Sequence, residues 1–185
     1  MARPEKRTRL LQAANKLVHE QGFNATTLAD IAEAADVPLG NVYYYFKTKD
    51  DIGQALIQQR AEYYQGLVTS WDSASDPKKR LAALIDEVAG QRKVLARSGC
   101  PIGSLCQELH KEGGPLAHKA AGLLAALLQW SEQQFRLLGK GEESSDLALH
   151  LLSVLQGVSL LTHAFNKPEL VVRETARLKK WLESL

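Results

Sequence analysis

From Leu10 to Leu182 the apolar residues recur three and four positions apart, and nowhere do they alternate over the length of a strand. A stripe with that period belongs to a helix, and it is stable only when buried against other helices. The chain is therefore read as all-α. Leu10, Ala14, Leu17 and Val18 make the first stripe, and Leu28, Ile31, Ala32 and Ala35 the second. Leu81, Leu84, Ile85 and Val88 make a later one, and Leu147, Leu151, Val154, Leu155, Val158 and Leu161 another. Gly22, Pro38, Pro77, the Gly113-Gly114-Pro115 run, Gly139 and Pro168 punctuate the pattern, as stops and starts of helices do.

Nine helices follow from this spacing. The first runs from Pro4 to the stop at Gly22, with Phe23 expected to pack back on it. The second opens at Thr27, where Thr27 and Asp30 have the spacing of a capping box. It ends by Val37, because a residue before proline is driven out of helical geometry. The third spans Leu39–Tyr45. The fourth starts at Thr48, with Asp50 and Asp51 favourable to its dipole, and reaches about Val68. Trp71–Asp76 reads as a linker. The fifth runs from Pro77 to a break at Ser98–Gly103, and the others cover Ser104–Lys111, Leu116–Leu138, Glu142–Phe165 and Pro168–Leu185. Residues 1–66 are expected to form one domain and residues 67–185 a second.

Composition narrows the class. In 185 residues, 45% are hydrophobic and 24% charged, which excludes disordered, collagenous and rod-like chains. Cys100 and Cys106 are too few for a disulfide framework, and no zinc-ligand spacing appears. The first residues are polar, without the apolar core of a signal peptide. Leu147–Asn166 carries no Asp, Glu, Lys or Arg, yet it holds His150, Ser153, Gln156, Thr162 and His163. Lipid would leave those groups unsatisfied, so this helix is expected to be buried in protein and the chain to be cytoplasmic. No HExxH, Glu-x-x-His pair, phosphate loop or local nucleophile–base pair occurs. The chain is thus expected not to be an enzyme and to need no cofactor or metal.

Two short helices joined by a tight turn, behind a supporting helix, have the dimensions of a helix-turn-helix. Val42 and Phe46, four residues apart, would anchor the second of the pair to the core. Leu39, Gly40, Asn41, Tyr43 and Tyr44 are then left for a DNA groove. Asn can read adenine, Leu can touch a thymine methyl, Tyr hydroxyls can donate to phosphates, and Gly40 lets backbones approach. Thr27 is placed to donate its hydroxyl or its backbone N–H to a phosphate. The formal net charge is only +2, and residues 1–66 hold eight basic and eight acidic residues. Placement matters more than the sum. Arg3, Lys6, Arg7 and Arg9 cluster at the first helix, and Lys47 and Lys49 follow the third.

The run Thr27-Leu-Ala-Asp-Ile-Ala-Glu-Ala-Ala-Asp-Val-Pro-Leu-Gly-Asn-Val-Tyr-Tyr-Tyr-Phe-Lys-Thr-Lys-Asp-Asp51 resembles the DNA-binding domain of the TetR (tetracycline repressor-like) family. The likeness extends over roughly residues 4 to 65. It implies an all-helical homodimer, usually a repressor released from a palindromic double-stranded DNA operator by a small molecule. It also implies that Thr27, Leu39, Gly40, Asn41, Tyr43, Tyr44, Tyr45 and Lys49 stand at positions that commonly meet DNA. Ala29 occupies a position where some members carry a longer, base-contacting side chain, so no base contact is expected from the second helix.

For the second domain the resemblance implies an apolar cavity and a dimer interface made by the last two helices. The small Ser153, Gly157 and Ser159 suit close helix approach, and so much apolar surface near the chain's end calls for a two-fold partner. Candidate ligand contacts are Cys100, Cys106, His110, Trp130, Phe135, His150 and His163. An alternative is a thiol-based sensor of oxidants or electrophiles. Cys100 follows the cationic Arg97 and leads into a helix, a setting that can activate a thiol. The Gly99-Cys-Pro-Ile-Gly103 stretch also resembles one in some TetR-like regulators.

Overall fold

A computed structural model describes residues 5–185. Arg3 and Pro4, read above as cationic cluster and helix start, lie outside the described residues. Ten α-helices and one 3-10 turn make up the described chain, in an all-α fold. They form two compact units: the described chain through Glu62 with Pro101–Leu123, and Tyr63–Cys100 with Leu124–Leu185.

In the first unit, α1 (Lys6–Gln21) buries Leu10, Ala14 and Val18, the expected stripe, while Leu17 stays half-buried. Gly22 ends α1 at φ +91°, and its N–H donates to the Val18 carbonyl. The second and third helices are α2 (Leu28–Ala34) and α3 (Leu39–Tyr45). The fourth, α4 (Lys49–Asp72), is long. Phe23 packs against α4: a Cβ built on Gly53 would lie 3.0 Å from the Phe23 ring. Gly53 therefore has no room for a side chain at this crossing. Arg60 on α4 donates to the Asn15 side chain on α1 at 3.1 Å. The unit is completed by α7 (Pro101–Glu112) and the start of α8 (Pro115–Leu137).

The second unit holds α5 (Pro77–Gly90), α6 (Arg92–Ser98), α9 (Ser144–Phe165) and α10 (Pro168–Ser184), with the ends of α4 and α8. Here α4 outruns its expected end at Val68, and the reason is burial. Trp71 is 8% exposed and its ring lies 5.3 Å from that of Trp130. The Trp130 indole N–H donates to Asp72 at 3.0 Å, and Arg80 bridges the Ala74 carbonyl (2.7 Å) and Gln134 (3.1 Å). Trp71 and Asp72 thus belong to the helix and its packing, and only Ser73–Asp76 is left as a connection. The single helix expected from Pro77 onward is two, α5 and α6, split after Gly90 at Gln91. The 3-10 turn Gly141–Glu143 precedes α9.

Helix α9 is long and apolar enough to cross a membrane by length and composition alone. It buries Ala148, Leu151, Leu152, Leu155, Val158, Ser159 and Thr162 and packs on α6 and α10. Ser159 satisfies its hydroxyl on the Leu155 carbonyl. Leu149, Leu160, Leu161 and Phe165 remain exposed, so the expected apolar stripe is partly open at Leu161.

A phenol provides a probe of this packing. Tyr63 on α4 donates to Glu87 on α5 at 2.8 Å. Desolvation first, then the Glu87 hydrogen bond and charge, push the Tyr63 pKa up to about 12. The folded state therefore holds this proton more tightly than the unfolded chain. The stabilisation is complete below the ordinary phenol value and is lost as pH rises through about 12. Alkaline titration by phenolate absorbance should show a late-titrating tyrosine that is missing from Tyr63→Phe.

Candidate nucleic-acid interface

The α2–turn–α3 unit is bracketed by two capped helix starts, Thr27 before α2 and Thr48 before α4. Thr27 accepts from the Asp30 N–H at 3.1 Å, and the Thr27 N–H donates to the Asp30 carboxylate at 2.8 Å. This is the expected capping box. It corrects one donor role, because the Thr27 N–H is consumed in the box. Past α2, Asp36 adopts φ +50°, a left-handed conformation that Asp tolerates better than most residues. Pro38 then stands at the N-cap of α3. The same device recurs unannounced at α4. Asp51 accepts from the N–H groups of Lys47 and Thr48 at 2.8 and 2.9 Å, and its own N–H donates to the Thr48 hydroxyl at 3.2 Å. The Thr48-x-x-Asp51 spacing repeats Thr27-x-x-Asp30, so the signal was present in the sequence.

Between the two caps, α3 is pinned by one face. Val42 is 0% exposed and Phe46 3%. The opposite face is open: Leu39 is 42%, Tyr43 48% and Tyr44 78% exposed. Asn41 is half-buried, and Tyr45, also half-buried, meets Tyr44 edge to face at 5.0 Å. A Cβ added to Gly40 would meet nothing within 4 Å. No packing in the described fold requires a glycine there, which leaves room for an external surface to approach the backbone. A short helix with one buried seam and an aromatic, polar outer face is what a DNA major groove admits.

The cations are placed differently from the expectation. The Arg9 side chain is only 15% exposed and pairs with Asp36 at 3.7 Å. The Arg7 guanidinium lies 5.6 Å from the centre of the Phe46 ring, a cation–π distance. Both serve the packing of α3 more than an open cationic patch. Lys49 donates to the Asn24 carbonyl at 3.0 Å and sits 4.7 Å over the Phe23 ring. Its ammonium is held in place by these two contacts, four residues past the end of α3. Lys6 and Lys47 are exposed.

The residues singled out as ligand contacts are dispersed. Cys106 (donating to the Ala120 carbonyl at 3.1 Å) and the exposed His110 belong to the first unit. In the second, Trp130 is committed to Trp71 and Asp72. Phe135 is fully buried, 6.0 Å from Trp181, whose other neighbour is His150 at 4.8 Å. The His163 ring meets the Ala96 carbonyl at 3.2 Å. Cys100 packs on the Leu95–Val158–Val171 cluster. An open hollow of about 280 Å³ between α9 and α10 is lined by residues including Gly157, Leu161, Leu170 and Arg173, and none of the seven candidates borders it.

Two residues absent from the sequence reading enter the interface's support, Asn24 and Glu108. The Asn24 N–H donates to the Glu108 carboxylate at 3.0 Å. Their separation in the chain leaves no local signal.

A model of the bacterial regulatory proteins of the tetR family matches residues 10–56. The HTH-type transcriptional repressor DhaR of Mycobacterium sp. (strain GP1) is 30% identical over 164 residues, covering 83% of this chain and 77% of that protein. The transcriptional regulator AcuR of Cereibacter sphaeroides is 29% identical over 143 residues, covering 75% of this chain and 64% of that protein. A TetR transcriptional regulator from Legionella pneumophila superposes with a TM-score of 0.86 at 19% identity, over 100% of this chain and 98% of that one.

The capping box is testable by itself. Hydrogen bonds from the Thr27 backbone, then from its side chain, hold the Asp30 carboxyl below its usual value. Its stabilisation is therefore present above the ordinary carboxylate range and lost as pH falls through the lowered value. At neutral pH, Thr27→Ala should lower stability by about 0.5–2 kcal/mol in urea unfolding. The penalty of Asp30→Ala should vanish in acid.

Proposed function

The chain belongs to the tetR family of bacterial regulatory proteins and is a DNA-binding transcriptional regulator, and from that premise we propose that it is a cytoplasmic homodimeric repressor released from a palindromic operator by a small molecule. The observation that carries the DNA half is α3, sealed to its unit by Val42 and Phe46 and open on Leu39, Tyr43 and Tyr44. In this reading residues 1–66 bind DNA and residues 67–185 bind the effector and the partner copy. Asn41 and Leu39 read base edges. The Tyr43, Tyr44 and Tyr45 hydroxyls, the Thr27 hydroxyl and Lys49 hold phosphates. The exposed apolar side chains of α9 and α10, Leu149, Leu160, Leu161, Phe165 and Val172, support a two-fold contact with a second copy.

Release is then a population shift. Operator DNA selects the dimer whose two α3 helices lie about 34–36 Å apart, one helical turn of the duplex. An effector bound in residues 67–185 favours another spacing. The two bindings oppose each other by the same factor in each direction. The near-neutral charge of residues 1–66 makes nonspecific DNA binding weak and leaves discrimination to the groove contacts.

Titration of a labelled palindromic operator, selected from random sequence by the protein, tests this reading. Two copies should bind per operator, with affinity falling steeply as salt rises. Tyr44→Ala should weaken binding about tenfold while leaving the melting temperature unchanged, since the side chain packs on little in the free protein. Failure to enrich any sequence over random DNA would sink the proposal.

A further inference from the structure

The turn that follows α1 is held by a side chain from α7, a helix some 80 residues away in sequence. Glu108 places both carboxylate oxygens 2.8–2.9 Å from where a Gly22 Cβ would stand. It thus lies directly on the glycine, whose φ of +91° already disfavours any side chain. From that seat the carboxylate accepts the Asn24 N–H at 3.0 Å. The carbonyl of the same residue accepts the Lys49 ammonium at 3.0 Å, over the Phe23 ring. One residue's backbone is therefore gripped on its N–H by Glu108 and on its C=O by Lys49, and hydrogen bonds in such a chain reinforce one another.

We infer that Glu108 is a positioning residue for DNA binding, which fixes the Asn24 backbone and through it the Lys49 ammonium. The inference rests on the reading of Lys49 as a phosphate contact. It also makes α7 part of the DNA-binding machinery. The effect runs against simple electrostatics. A carboxylate near the interface repels phosphate, so its removal should strengthen binding if charge alone mattered. Positioning predicts the reverse.

The test is a double-mutant cycle on operator affinity as a function of salt, with melting curves as a control for folding. Lys49→Met should reduce the salt slope by about one per protomer. Glu108→Ala should weaken operator binding roughly fivefold and reduce the slope similarly. Glu108→Gln, neutral but still an acceptor, should retain most of the affinity. In the Lys49→Met background Glu108→Ala should have no further effect. Should Glu108→Ala fold poorly, Glu108→Asp keeps the charge but withdraws the acceptor by one methylene, and it should show the same loss. Unchanged or increased affinity in Glu108→Ala alongside a Lys49→Met defect, or losses that multiply in the double variant, overturns the positioning role alone. An unchanged salt slope in Lys49→Met overturns the phosphate contact and the inference with it.

Discussion

The burial of Val42 and Phe46 is the interaction on which the DNA-facing arrangement depends. A seven-residue helix has too few hydrogen bonds to persist alone, and α3 (Leu39–Tyr45) is that short. Its stability comes from one apolar seam four residues apart, sealed from water. Once the seam is fixed, helical geometry determines where everything else points. Leu39, Tyr43 and Tyr44 face outward because Val42 and Phe46 face inward. The flanking devices serve the same end: the caps at Thr27 and Thr48, the left-handed turn at Asp36 with its Arg9 partner, and Arg7 over Phe46.

That arrangement explains how a nearly neutral segment serves a polyanion partner. Two of its cations have partners within the fold: Arg9 on Asp36 and Arg7 over Phe46. Lys49 is oriented by a carbonyl and a ring instead of being left to sweep solvent. A held cation loses less side-chain entropy on meeting a phosphate than a free one. Few charges, well placed, favour discrimination over indiscriminate attraction.

The helical class and the α2–turn–α3 unit were legible in the sequence, for a local reason. Periodicity, caps and proline act over a few residues, so Leu39–Tyr45 and the Thr27–Asp30 box could be read directly. Long-range packing could not. Trp71 extends α4 because Trp130 and Asp72 lie across from one another in space, a relation no window of residues reveals. Glu108 supports the Asn24 turn for the same kind of reason. The split at Gln91 is hard to read because Gly90 and the polar Gln91-Arg92-Lys93 interrupt the apolar stripe for one turn only before Leu95 resumes it. The second unit's ligand contacts were the least legible. Aromatic, His and Cys residues on apolar helices satisfy core packing and ligand binding equally well by residue type.

The central claim is that α3 reads base edges with its outer face while the residues around it hold the backbone. Its most direct measurement is the affinity of wild type, Asn41→Ala and Lys49→Met for a panel of operators, each carrying one symmetric base-pair substitution. The account predicts that Asn41→Ala loses about 1–3 kcal/mol of discrimination at one base pair of each half-site. Lys49→Met should weaken every operator by a similar factor. An Asn41→Ala variant that binds all operators equally more weakly, with its base preferences intact, would contradict it.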